Sequence, residues 1–323
     1  MRVRDFPRTL VEFEERFATE QACREYLVHV RWSEGWRCPA CDHDKAWTTA
    51  RDLWHCARCG HDTSLTAGTI FHGTKKPLRL WFKAMYLITS AKTGVSAKTL
   101  QRELGLSYPA AWTWLHKLRQ AMSQDEQSPL HGTVETDETM LGKDESRRPG
   151  RHKGTKSIVV IAVEDQGKAM GRARMASVDD FSSDSLQGVI ERYVAPGSSV
   201  HTDGWKGYTG LDQKGYNHPV DVLSEAKTRA AKQARAAATF PHVHRLAGLL
   251  KRWLMGTHQG AVHEKHLHAY LDEYVFRFNR RRSHRRTLLF ERLVARTVCE
   301  RAKPYWRIIG REAPDKPLHL AAA

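Results

Sequence analysis

The sequence lacks the features that would tie it to a membrane or to an oxidising compartment. No apolar run approaches the ~18 residues a bilayer span needs. The N-terminus, MRVRDFPRTLVEFEERF, has none of the apolar block of a signal peptide. Cysteines are few, six in 323 residues, and four fall into two close pairs while Cys23 and Cys299 stand alone. That excludes a disulfide framework and leaves one metal site and two isolated thiols. Acid is also scarce: 36 Asp and Glu stand against 52 Lys and Arg, a net charge of +16. Such an excess repels itself and points to a polyanionic partner, although charge alone does not separate DNA from RNA or an anionic membrane. No internal repeat is evident. The expectation is a soluble, cytoplasmic protein with no membrane partner.

The pattern along the chain is modular. Residues 8–31 look helical, with Leu10, Phe13, Phe17, Cys23 and Leu27 at roughly helical spacing. Trp36 to Thr69 breaks into short, Cys-rich, turn-like pieces. Pro77 opens a helical region to about Met122, and the polar linker SQDEQSP follows. Beyond Gly132 come the strand-like runs GTVETDETML, SIVVIAVED, GRARMASVDD and SSVHTDGW, with the helical FSSDSLQGVIERYV between the last two. Two further helical stretches cover 242–256 and 264–282, and an Ala-rich basic piece at 226–238 reads as a surface helix or a connection. The boundaries expected are a helical segment 1–35, a zinc ribbon 36–75, a helical bundle 76–125, an α/β domain 130–295 and a tail 296–323.

CPAC (Cys38, Cys41) and CARC (Cys56, Cys59) are two knuckles that can each aim two thiolates at one ion. The apolar content around them is too small for an independent core, so structural zinc is expected to supply folding free energy. TGVSAKTLQRELGLSYPAAWTWLHKLRQAM (93–122) has the cadence of a helix-turn-helix, with Ser96 as N-cap and ELGLS as the turn. Its second helix would bury Ala111, Trp114, Leu115, Leu118 and Met122 and leave Tyr108, Thr113, Lys117 and Arg119 exposed to DNA. An ordinary helical hairpin has the same pattern.

Glu135 and Asp137 share one face of a strand in VETDETML, and Asp203 ends a second strand in SSVHTDGW. A strand-end Asp is commonly a turn or cap residue. Two held at one sheet edge can instead clamp divalent cations for in-line attack on a phosphodiester. In PHVHRLAGLLKRW no acid occurs, yet His244 and Lys251 are seven positions apart, nearly two helical turns, and so point the same way. Leu246, Leu249, Leu250, Trp253 and Leu254 fall on the opposite side of that helix, with Ala247 and Gly248 between His244 and Lys251. A lone His is usually a satisfied core or surface residue; this wheel argues against a core role. FRFNRRRSHRR carries Arg277, Arg280, Arg281, Arg282, Arg285 and Arg286 with no acid among them. It reads as a solvated charge run or, anchored by Phe276 and Phe278, as a phosphate-binding edge.

In their order, the VETDETML strand, VHTDGWKGY, HRLAGLLKRWLMGTHQGAV and YLDEYVFRFNRRR resemble bacterial insertion-sequence transposases of the zinc-ribbon, DDE type related to Merlin elements. Lys143 stands where a second Gly of the first motif is common. The resemblance runs from the ribbon to about Arg292. It implies a ribonuclease H-like fold with a mixed sheet, nucleoid-associated in its host, that cuts and joins double-stranded DNA at element ends. It further implies Asp137 and Asp203 as catalytic ligands of Mg²⁺ or Mn²⁺, and a homo-oligomer that synapses two terminal inverted repeats and a target. His244 takes the third ligand position, where a neutral imidazole suits a softer ion than Glu does, and Lys251 becomes a DNA-end contact. A DNA-binding regulator that has lost catalysis is the alternative, and a nuclease that cleaves without joining is a third reading. Glu264, Asp272 and Glu273 lie further along and would need a different alignment.

Overall fold

The computed structural model describes residues 7–124, 128–142, 153–220, 239–283 and 287–312. Lys143, the basic piece at 226–238, Arg285 and Arg286 lie outside the described residues. The chain forms two compact units, Met1–Met122 with Ser283–Ala323, and Ser123–Arg282.

The first unit begins with α1 (Leu10–Arg16) and α2 (Glu20–Arg31), two helices where the periodicity suggests one. The break falls at Thr19, whose hydroxyl caps α2 by accepting the Ala22 N–H at 3.1 Å. A three-stranded antiparallel ribbon follows: β1 (Ala46–Thr48), β2 (Leu53–Cys56) and β3 (Asp62–Ser64). Arg31 ties it to α2 by donating to the carbonyls of Ser64, Leu65 and Ala67. Then come α3 (Leu78–Ser90), α4 (Ala97–Leu104) and α5 (Tyr108–Gln120). Helix α3 opens on Pro77 without a capping side chain of its own, and Glu20 supplies the acceptor, taking the Leu78 and Arg79 N–H groups at 2.8 and 3.1 Å. Ser96 caps α4 as its sequence suggests, and Gly105, at φ +60°, makes the left-handed turn into α5.

The burial of α5 corrects one expectation. Ala111, Trp114, Leu115, Leu118 and Met122 are buried, and Trp114 stacks on Trp81 at 3.8 Å. Arg119 is buried too, at 1% exposure. It lies one helical turn beyond Leu115, so it follows that residue into the packed face instead of facing solvent. Lys117 is half-buried, and along α5 only the N-terminal turn, at Tyr108 and Pro109, is exposed.

The second unit is built on a four-stranded mixed sheet. β4 (Thr133–Leu141), β5 (Ser157–Gln166) and β6 (Ala169–Val178) form an antiparallel meander. α6 (Ser183–Tyr193), capped by Ser182, carries the chain back so that β7 (Ser199–His201) pairs parallel to β4, giving the order β6-β5-β4-β7. β5 is buried on both faces, which is why it reads as the continuous apolar run IVVIAV. Val160, Ala162 and Val134 pack on α6, Tyr208 and Leu211. Val159, Ile161 and Val163 pack on α7 (Pro241–His258) and α8 (Leu267–Phe278). The result is a helix–sheet–helix sandwich.

The chain then rejoins the first unit through α9 (Thr287–Cys299). The α/β domain therefore ends at Arg282, not 295, and α9 is part of a core, not the approach to a tail. The reason is aromatic packing: the Phe290 ring lies 5.8, 6.0 and 5.9 Å from Phe13, Phe17 and Phe82. Phe290→Ala is expected to cost about 3–5 kcal/mol, read as a lower urea midpoint.

Candidate functional site

Alternation along β4 sends Val134, Thr136 and Glu138 toward α6 and Glu135, Asp137 and Thr139 toward α7. β7 runs parallel beside it with Glu135 opposite His201; Asp137 stands two residues further on in the middle of β4, and Asp203 lies two residues past the end of β7. Each carboxylate is oriented by local backbone: Asp137 Oδ1 accepts the Glu138 N–H at 2.9 Å, and Asp203 Oδ1 accepts the Trp205 N–H at 3.1 Å. Behind them the Tyr208 hydroxyl donates to Glu138 Oε2 at 2.8 Å. Complete burial, with the charges of Glu138, Asp137 and Asp203, holds that phenol well above its ordinary pKa.

Helix α7 meets this edge through Glu135, a carboxylate 4% exposed. Its Oε2 accepts the backbone N–H groups of His242 and Val243, both at 2.9 Å. The helix opens on Pro241 with no capping side chain of its own, so Glu135 serves as its N-cap and complements its dipole. His242 adds a second tie, with Nε2 at 3.0 Å from Asp165 Oδ1 and 2.9 Å from the Gly167 carbonyl. A carbonyl only accepts, so Nε2 carries the proton and donates. Glu135, Asp165 and His242 bring ligand atoms within 4.8 Å of one another. Their hydrogen bonds to α7 and to the β5–β6 turn make them a clamp on that helix.

Two residues past the clamp, His244 Nδ1 lies 3.8 Å from Asp137 Oδ2. Its Nε2 is buried without a hydrogen-bond partner among the described residues. Burial lowers the His244 pKa, opposed by Asp203 and reinforced by Lys251. Lys251, exposed on the same face, is also lowered, by partial burial and by Lys156, with Asp137 opposing. Asp137, Asp203, His244 and Lys251 thus share one electrostatic neighbourhood, although the ligand atoms of Asp137, Asp203 and His244 do not gather into a single cluster within 4.8 Å. The other acids are elsewhere: Glu264 pairs with Lys153 at 2.8 Å, Asp272 accepts from Gln124 at 3.0 Å, and Glu273 is fully buried. Leu246, Leu250, Trp253 and Leu254 are buried in the core, with Leu249 packed at its margin.

The arginine run is largely engaged. Arg280 stacks on Phe276 at 4.1 Å and Arg281 on Phe278 at 3.7 Å. Arg281 also donates to the carbonyls of Gly171, Phe278 and Met170. Arg282 reaches Gln166 at 3.4 Å. In the other unit, the Sγ atoms of Cys38, Cys41, Cys56 and Cys59 lie within 4.8 Å of one another, with Cys38–Cys59 at 3.5 Å and Cys41–Cys56 at 3.6 Å. A tetrahedron with Zn–S bonds of about 2.3 Å has edges near 3.8 Å, so the four thiols fit one zinc ion.

The ISXO2-like transposase domain family matches residues 129–279, and the transposase zinc-ribbon domain family, from the same IS1595 group, matches residues 18–62. A relative described as an uncharacterized protein in transposable element ISH50, from Halobacterium salinarum, is 24% identical over 216 residues, 61% of this chain and 71% of its own length. The chain belongs to the IS1595 transposase family. No solved structure matches it. Among its described residues no helix is long and apolar enough to cross a membrane.

For this transposase, the sequence reading missed the clamp. The signal was available: a helix led by Pro241 and lacking a Ser, Thr, Asp or Asn cap needs an acceptor from elsewhere. Glu135→Ala is expected to cost about 1–3 kcal/mol in urea denaturation, since two buried N–H groups lose their acceptor. Glu135→Gln, whose amide oxygen still accepts, should recover part of it. The ribbon is expected to hold one zinc per chain by elemental analysis. Cys56→Ser should release that zinc and unfold the ribbon, seen as protease cleavage between Arg37 and Lys45.

Proposed function

We propose that this transposase cleaves double-stranded DNA at the ends of an insertion element and joins the freed ends to a target, with Asp137, Asp203 and His244 as the ligands of catalytic Mg²⁺ or Mn²⁺. The observation that carries the reading is the meeting of α7 with β4: Asp137 Oδ2 stands 3.8 Å from His244 Nδ1, with Asp203 acting on the same imidazole. Two donors each about 2.0–2.2 Å from an ion stand no more than about 4.4 Å apart, so this pair fits a shared cation. A two-ion arrangement needs no single three-residue cluster, because its outer ligands sit on different ions about 3.5–4 Å apart.

Divalent ions in such a site supply Lewis-acid activation of the attacking hydroxyl and of the leaving oxygen. The protein's own contribution is position. Local backbone N–H groups fix Asp137 and Asp203, the Glu135 clamp fixes His244, and Lys251 offers a cation for a phosphate of the DNA end. The meander followed by a parallel fourth strand, with one carboxylate in the middle of β4 and one just past β7, supports a ribonuclease H-like fold for this unit. Lys117 and the exposed start of α5, the arginines from Arg277 to Arg282 and the zinc ribbon are the further surfaces assigned to terminal repeats and target DNA, in a homo-oligomer that pairs two ends.

The test is strand transfer by the purified chain on DNA carrying the repeats that flank its gene. Asp137→Asn and Asp203→Asn are expected to lower activity at least about 10³-fold while DNA binding persists. His244→Ala should lower it as well, and His244→Glu should shift the Mn²⁺-to-Mg²⁺ activity ratio toward Mg²⁺. Undiminished activity in His244→Ala would remove that residue from the site. DNA binding by a wild type that neither cleaves nor joins would favour a regulator derived from a transposase.

A further inference from the structure

We propose that the DNA strand undergoing reaction crosses helix α7 at Gly248, held between Arg245 and Arg252. The inference rests on Asp137, Asp203 and His244 forming the reacting centre, and it names the substrate's path past that centre.

Helix α7 has no acid in its eighteen residues. Gly248 lies four residues after His244 and three after Arg245, and three before Lys251 and four before Arg252. Those separations make all four its immediate neighbours on the helix surface. A bare turn is therefore ringed by one imidazole and three cations. Arg245, Gly248, Lys251 and Arg252 are exposed. No hydrogen bond or ion pair among the described residues occupies the head group of Arg245, Lys251 or Arg252. Other long cations of this unit are paired, as Lys153 is with Glu264 at 2.8 Å and Arg172 with Glu164 at 2.6 Å, while Lys168 and Lys206 stand apart from one another on other elements.

The glycine itself has no structural explanation within the chain. A Cβ at 248 would meet nothing within 4 Å, and Gly248 is not among the residues with positive φ. Glycine inside an exposed helix destabilises it relative to alanine, so its presence there opposes folding. Close approach of an extended polyanion accounts for both features. A phosphodiester strand can lie against the bare turn while arginine forks take phosphate oxygens on either side. Arg245 and Arg252 stand about 10 Å apart along the helix, roughly three phosphates at the spacing of one DNA strand. The same face presents His244 at 3.8 Å from Asp137, so a strand on this track passes the reacting centre.

The test compares Gly248→Leu with Gly188→Leu, a control at an exposed glycine of α6 that also has nothing within 4 Å of an added Cβ. Both variants are expected to unfold at or above the wild-type temperature. Only Gly248→Leu should lose Mn²⁺-dependent cleavage of supercoiled plasmid, by at least about tenfold, and bind a fluorescein-labelled duplex of mixed sequence more weakly. The double variant Arg245→Ala, Arg252→Ala should reduce the slope of log affinity against log salt by about 2. Binding is measured on the zinc-loaded full chain with no Mg²⁺ or Mn²⁺ added, so it reads the track even for a protein that does not cleave. Absence of cleavage in wild type would thus overturn the catalytic reading separately. The track itself is overturned by an unchanged salt slope in the double variant, or by Gly248→Leu matching Gly188→Leu in binding.

Discussion

The Glu135 carboxylate, accepting two backbone N–H groups from the first turn of α7, is the constraint on which the candidate site depends. A helix that begins with proline leaves its first N–H groups without partners, and a buried carboxylate is costly without donors. Each satisfies the other. Because Glu135 stands two residues before Asp137 on the same strand face, the bond that caps the helix also sets where His244 lies. The His242 contacts with Asp165 and Gly167 fix the helix to the next strand pair, so α7 is held at two points before it reaches the candidate ligands.

The first unit uses the same device. Glu20 caps the uncapped, proline-led α3 across a long stretch of sequence, and Arg31 secures the ribbon through three carbonyls. Between them lies a ribbon too small to hold itself by apolar burial, where four thiols spaced to hold one zinc ion would stand in for a core. Aromatic packing completes the unit, and one of its rings, Phe290, arrives from the far end of the chain.

How much could be read in advance differs by interaction. The cysteine knuckles, the Ser96 and Ser182 caps and the buried β5 run were legible because each is a local pattern with one dominant physical cause. Asp137 and Asp203 were read as strand-end carboxylates, whereas Asp137 lies in the middle of β4 and Asp203 past β7; the wheel of α7 put Lys251 on the face of His244. Arg119 was misread because charge suggested solvent, whereas its helical phase follows Leu115 into the core. The end of the α/β domain was misplaced because nothing local distinguishes a helix that closes one unit from a helix that completes another.

The sequence by itself determined the chemistry available: four thiols at knuckle spacing, two carboxylates in strand-like runs, an imidazole and a cation at matching helical phase, and a large excess of positive charge. Short-range periodicity and turn chemistry suffice for that, since they act over a few residues. Only the tertiary structure decided which of these groups meet. The parallel pairing of β7 with β4 set Glu135 opposite His201, and the Glu135 clamp brought His244 of α7 to within 3.8 Å of Asp137. Strand pairing and long-range capping join residues distant along the chain, and no local pattern encodes their partners.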